Sequence, residues 1–318
     1  MKGLFLWGTV MVLIGIGICF FAARYMGFSL ESLKASDFTE KTYEVNESFD
    51  SISTNTSIES VSFVLSEDGR CRVRCMENDK LGHEITVTDG TLIIKSLDKK
   101  KDILSFDLYT HSPEMFIELP EKEYRQLTAK TDTGDIVVSL RSVGSLDVSG
   151  DTADVSVFTP VKGNVRISLT TGDVYLRAMT AGSIDVTTTT GKIGIVNVKT
   201  AGGITANVDT GETLLEKVDC GNLMSDGDTG DIVLDGVTAS GSFSIIRSTG
   251  DVKFIGSDAA SISVKTSTGD VTGTLLTGKV FLAKSDTGKV DIPKTAAGGR
   301  CEITTDTGRI KIEIAKQP

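Results

Sequence analysis

The stretch Ser168-Leu169-Thr170-Thr171-Gly172-Asp173-Val174-Tyr175-Leu176 decides the fold. Nineteen residues later the chain repeats its outline as Thr187-Thr188-Thr189-Thr190-Gly191-Lys192-Ile193-Gly194-Ile195. Working outward, a Thr-Gly pair followed by a charged residue returns every 19 or 20 residues, at Gly134, Gly172, Gly191, Gly211, Gly230, Gly250, Gly269, Gly288 and Gly308. Thr152-Ala153-Asp154 fills the gap after Gly134, which makes ten copies. A fixed period near twenty residues is the mark of a stacked repeat, in which each unit buries its inner face against its neighbours.

With the Gly (or Ala153) as position zero, position minus one is Thr in every copy. Position plus two is β-branched throughout: Ile136, Val155, Val174, Ile193, Thr213, Ile232, Val252, Val271, Val290 and Ile310. Positions minus seven, minus five and plus four are mostly aliphatic. Two short segments of period two are two half-buried strands. A second Gly at minus nine in most copies supplies the other corner. The expected fold is all-β: a single-chain β-solenoid with two strands per 19–20-residue coil, about ten coils and, at ~4.8 Å per coil, a rod of roughly 48 Å. The Thr row reads as a hydroxyl ladder at the corner. An ice-binding T-x-T face would need Thr at minus three in every coil, and only Thr131, Thr188, Thr266 and Thr305 supply it.

Residues 1–24 read as a cytoplasmic start and a transmembrane anchor. Leu4 to Ala23 is a charge-free run long enough to span a bilayer core as a helix, with Trp7, Tyr25 and Phe28 suited to the interfaces. A cleaved signal peptide is the alternative. The charge asymmetry between Lys2 and Arg24 leans towards a cytoplasmic N-terminus and an extracytoplasmic C-terminal part. Residues 25–44 read as a juxtamembrane stalk. Residues 45–120 read as a β cap, with a degenerate first coil near Phe49–Val61, a hairpin turned at Asp89-Gly90, and a strand at Met115–Leu119 stopped by Pro120. Residues 121–318 are the solenoid repeats. Lys311, Lys316 and Pro318 are expected to guard an open edge on the final coil.

A formal net charge of −10 disfavours nucleic acid as a partner. Of the cysteines, Cys71 and Cys75 flank Val73 on one face of a strand-like run, and Cys301 takes a core position; all three read as buried apolar residues. With only His83 and His111 and no C-x-x-C, no zinc site is visible, and no cofactor is expected. Asp-Thr-Gly recurs at Asp132, Asp209, Asp228, Asp286 and Asp306 as a coil corner, not as the paired triplet of an aspartic protease. The position after the Gly sets carboxylates in two runs, Asp135/Asp154/Asp173 and Asp231/Asp251/Asp270. Stacked like charges need relief, either from solvent and corner amides or from a divalent cation bridging adjacent corners. No catalytic constellation interrupts the pattern, so the chain is not read as an enzyme.

The anchor, the degenerate first coil, the Asp89-Gly90 hairpin and the recurring T-x-T-G-D-[IV] coil resemble a bacterial envelope family of unknown function named "putative adhesin" or toastrack, over about residues 45–318. The resemblance implies a β-strand-repeat solenoid on a bacterial membrane, in some cases beside envelope-stress components, with no catalytic residues to carry over. The expected role is a membrane-anchored binding or scaffold module. Its partners would be the lipid bilayer through Leu4–Ala23 and envelope proteins, cell-wall polymer or itself. The alternatives are a self-assembling structural protein stacked through solenoid ends and, further off, a glycan-acting β-helix enzyme.

Overall fold

A computed structural model describes residues 38–98 and 113–315. The Leu4–Ala23 span, Lys316 and Pro318 lie outside the described residues. Among those described, every regular element is a strand, and all the strands belong to one continuous hydrogen-bonded system.

The period-two rows point where the sequence puts them. Ile136, Val174 and Val252 keep at most 1% of their surface. Consecutive coils pair in parallel and in register, Ile136 with Val155, Val155 with Val174, Val174 with Ile193. Each buried aliphatic side chain of this kind stabilises by about 1.5–3 kcal/mol. One continuous column of them is what holds the rod together.

The corner explains the recurring glycine. Gly211 has φ +148°, and a Cβ built there would lie 1.7 Å from the carbonyl oxygen of Gly191 in the coil below. At the glycine corners backbone stacks on backbone and leaves no room for a side chain; the Ala153 corner alone among the ten carries a methyl group.

The coil differs from the two-strand expectation. The strand after the corner does not run straight to the next Gly. It bends at a residue of positive φ six positions on, at Asn197, Lys217, Gly236 and Gly256. Beyond that bend a third, short side turns inward. Met179, Val198, Val218 and Val237 form its first buried row, and Ala181, Thr200, Cys220 and Ala239 its second. The cross-section is therefore three-sided. Because the bend residues share no chemistry, the sequence carries no clear mark of it.

The order of stacking also departs from the order of the chain. From Glu123 to Thr268 the coils follow one another in sequence. The strand Val252–Thr268 then pairs not with Lys279–Ser285 but with Gly299–Thr307, and Lys279–Ser285 pairs on the far side of Gly299–Thr307. The second side agrees: Ile310–Ile314 lies between Val271–Leu275 and Val290–Asp291. The last coil of the chain is inserted between its two predecessors. The N-terminal end is built the same way, since Ser51–Thr56 lies between Thr91–Asp98 and Glu123–Thr133, and Ser60–Leu65 between Glu114–Leu119 and Ile136–Ser139.

This corrects the expectation that Arg309–Ile314 ends an open edge guarded by Lys311. That coil is paired on both sides. The exposed end is the Lys279–Asp291 coil, whose inward residues Phe281, Ala283 and Ile292 are only half-buried and whose Val280 and Leu282 are exposed. The opposite end is closed by the antiparallel Leu81–Thr88 strand against Thr91–Asp98, turned at Asp89-Gly90 as expected, and by Thr39–Val45 against Cys71–Glu77.

Candidate functional site

Three features stand outside the regular core: the acidic ladder on the corner, an apolar row beside it, and a buried polar cluster at the closed end.

Every carboxylate of the ladder is engaged by the next coil. Oδ1 of Asp135, Asp154 and Asp173 accepts the backbone amide of Asp154, Asp173 and Lys192 at 3.0, 2.7 and 2.8 Å. Asp231 and Asp251 accept the amides of Asp251 and Asp270, both at 2.8 Å, and Asp270 accepts that of Arg309 at 2.7 Å. Each run of three carboxylates thus ends on a cation, Lys192 or Arg309. An ionised carboxylate accepting an amide is a strong hydrogen bond, which offsets part of the repulsion between neighbours. The minus-three threonines Thr131, Thr188, Thr266 and Thr305 point inward and are buried, so no T-x-T face forms.

Two positions beyond the ladder, Tyr175, Gly194, Leu214 and Val233 lie in register on adjacent coils. Tyr175 and Leu214 are exposed. The Tyr175 ring covers Gly194, where a Cβ would come within 2.7 Å of it. An apolar strip thus runs alongside a charged one, at the coil spacing.

Inside the rod, three departures from the aliphatic rows converge on one residue. Thr213 stands at plus two, Ser225 at minus five and Gly227 at minus three. The guanidinium of the buried Arg247 donates to Ser225 Oγ at 2.8 Å and to Thr213 Oγ1 at 3.3 Å, and packs where Gly227 lacks a side chain. Burial lowers its pKa, against a smaller opposing effect from Asp226.

The polar cluster lies under the closed end. Glu59 leaves its corner with both oxygens directed inward: Oε2 accepts the amides of Ser57 and Ile58, and Oε1 meets Ser96 Oγ at 2.5 Å and His83 Nε2 at 2.8 Å. His83 Nδ1 faces Glu77 Oε1 at 3.3 Å. Glu77 in turn accepts from Tyr43 Oη at 2.7 Å and Lys41 Nζ at 2.9 Å. The side chains of Glu59 and His83 are fully buried. Cys75, 1% exposed, joins them: its sulfur, a Glu77 oxygen and a His83 ring nitrogen all lie within 4.8 Å of one another.

Burial opposes the charge on His83, but Cys75 and Glu59 outweigh it and raise the pKa to about 10. Burial likewise opposes ionisation of Glu77, yet Tyr43, Lys41 and His83 bring it down to about 2. Glu59 is lowered too, by His83, Ser96 and the Ile58 amide against burial. The order Cys–His–Glu is that of an activated nucleophile, but no substrate reaches a sulfur so enclosed. Reading from sequence missed the cluster because Cys75-x-Glu77 followed by His83 is no recognised spacing. The signal was Glu77 itself, a carboxylate that continues the inward face of Cys71, Val73 and Cys75. The four described cysteines are free and buried, as expected for Cys71, Cys75 and Cys301.

Comparison with known proteins agrees with the architecture. A structure titled as a "putative lipid binding protein" from Parabacteroides distasonis shares 18% identity over 75% of this chain and 98% of its own, with a TM-score of 0.55. One titled as a "putative adhesin" from Bacteroides fragilis shares 15% identity over 87% of this chain and 97% of its own, with a TM-score of 0.42. Among curated proteins, none matches. The family model described as Toastrack DUF4097 matches residues 49–209 and 203–318. The match covers most of the chain, and the chain belongs to the Toastrack DUF4097 family.

Proposed function

We propose that the chain is a binding or scaffold module of the bacterial cell envelope, tethered by Leu4–Ala23 with its solenoid outside the cytoplasm, and linked in that setting to the response to envelope stress. The observation that carries the reading is the ladder face: the acidic run Asp135/Asp154/Asp173 leads into the exposed Tyr175–Leu214 strip, which continues in register beside the charged pair Lys192 and Glu212. Such a face engages an extended partner through many similar contacts, each weak alone. An envelope protein with alternating basic and apolar side chains fits it best, ahead of an uncharged wall polymer. The similarity to the lipid-binding protein from Parabacteroides distasonis, at 18% identity, speaks for the fold alone.

The test is crosslinking of the full-length protein in its own membranes, followed by pull-down. Tyr175→Glu with Leu214→Glu should abolish the captured partner while strand content by circular dichroism stays unchanged. Capture that is indifferent to the double variant would sink the reading. Protease added to intact cells should remove the solenoid; full protection would place it on the wrong side of the membrane.

A second reading, self-association through an end, has its own support in the half-buried Phe281, Ala283 and Ile292 and the one-sided strand Lys279–Ser285. Light scattering decides it: Val280→Lys with Leu282→Lys should reduce the mass if the end is an interface, and an unchanged monomer in both proteins would exclude it.

A further inference from the structure

The geometry points to a zinc-class metal site at the closed end of the solenoid, with Cys75, Glu77 and His83 as its protein ligands. The donor set comes first. A thiolate, an imidazole nitrogen and a carboxylate oxygen within 4.8 Å of one another suit a borderline ion such as Zn²⁺ rather than Ca²⁺ or Mg²⁺, which take oxygen alone. A carboxylate–histidine–metal relay follows from the orientation of the ring. Glu59 holds Nε2 at 2.8 Å, which leaves Nδ1, the nitrogen facing Glu77, for the ion.

The outer partners are already in place. Glu59 is fixed by the amides of Ser57 and Ile58 and by Ser96. Glu77 is oriented by Tyr43 and Lys41. Metal sites depend on such second partners nearly as much as on the ligands themselves.

Binding exchanges protons for metal: as bonds form from His83 Nδ1 and Cys75 Sγ to the ion, any proton those atoms carry leaves to solvent. Tyr43, which donates to Glu77, also lines a cavity of about 120 Å³ with Val45, Ile85 and Val87 at the end of the rod. The ion would tie Cys71–Glu77 to Leu81–Thr88, two strands that pair with different neighbours.

The experiment uses the full chain, stripped with chelator and dialysed against Zn²⁺ or Co²⁺ alone. One zinc per chain is expected, and the cobalt form should show a thiolate-to-metal charge-transfer band. Cys75→Ser and His83→Gln should each weaken binding by at least a hundredfold, and Glu59→Gln by ten- to a hundredfold. Cys301→Ser, in a coil near the opposite end, should leave it unchanged. Should Cys75→Ser fail to fold, the wild-type cobalt spectrum decides by itself. Cobalt bound without a thiolate band, no zinc retained by the wild type, or equal affinity in wild type and folded Cys75→Ser would each overturn the site.

Discussion

The backbone amide of Arg309 donates to Asp270 Oδ1 at 2.7 Å across a separation of 39 residues, where the other rungs of the same ladder span 19 or 20. The doubled interval is the imprint of the inserted last coil. The guanidinium adds a second contact at 3.1 Å, so a cation closes the acidic run that begins at Asp231. Hydrogen exchange checks the arrangement. Amides of Ile310–Ile314, close to the end of the chain, should be protected like those of the central coils. Those of Lys279–Ser285 and Val290–Asp291, earlier in sequence, should exchange fastest among the coils. The reverse order would mean that the coils stack in chain order.

Corner glycines should be among the least replaceable residues. Gly211→Ala places a methyl group into the Gly191 carbonyl at a φ of +148°, and a loss of about 3 kcal/mol or more is expected by denaturant unfolding. Gly69, at φ +74° with nothing within 4 Å, meets only the backbone penalty. Gly69→Ala should cost about 1–2 kcal/mol. Equal costs would show that the stacked corner contributes no steric constraint.

Arg247 offers a test of buried charge. Arg247→Ala should destabilise by about 3–5 kcal/mol, since it empties a core position and leaves polar partners behind. Arg247→Met combined with Ser225→Ala and Thr213→Val should recover most of that, or exceed the parent, because an apolar set replaces a desolvated cation. Thermal midpoints of the two variants, ranked opposite to this order, would contradict the packing described.

Acid should weaken the closed end through Glu118. Burial acts to raise its pKa, but Arg72 and Arg74, each at 2.9 Å, hold it below the usual glutamate value. A carboxyl whose pKa is depressed by folding adds stability above its unfolded pKa and loses it as pH falls through the folded one. Stability of the parent should therefore decline below about pH 4.3, the ordinary glutamate value. Glu118→Gln should be less stable near neutrality and show a shallower acid limb. Parallel pH profiles would remove Glu118 from the account.

Much of this was written into the chain as a period. The rows headed by Ile136, Val174 and Val252 face inward because β-branched residues two apart leave no other side to bury. The Asp89-Gly90 turn folds as its residues require, with φ of 49° and 71°. What sequence concealed has physical reasons. Lys289 and Arg309 follow equivalent corners, and both coils fit the same neighbour in length and pattern, so their order in space is settled by contacts far apart in sequence. The third side hides because Asn197, Lys217, Gly236 and Gly256 reach the same backbone conformation with unlike side chains. The Cys75–Glu77–His83 cluster lies outside the repeat, and strand pairing alone brings Glu59 and Ser96 to it. The acidic ladder was visible residue by residue; the amide held by each oxygen was not.

The paired insertions give the rod a fixed length. A segment duplicated between Ala153 and Gly250 can join as one more rung, because each rung there rests only on its sequence neighbours. A copy appended after Ile314 finds both faces of its predecessor already taken and must start from a different layer. Growth by duplication is thus confined to the middle, and fraying from the tail must first draw a strand out from between two others.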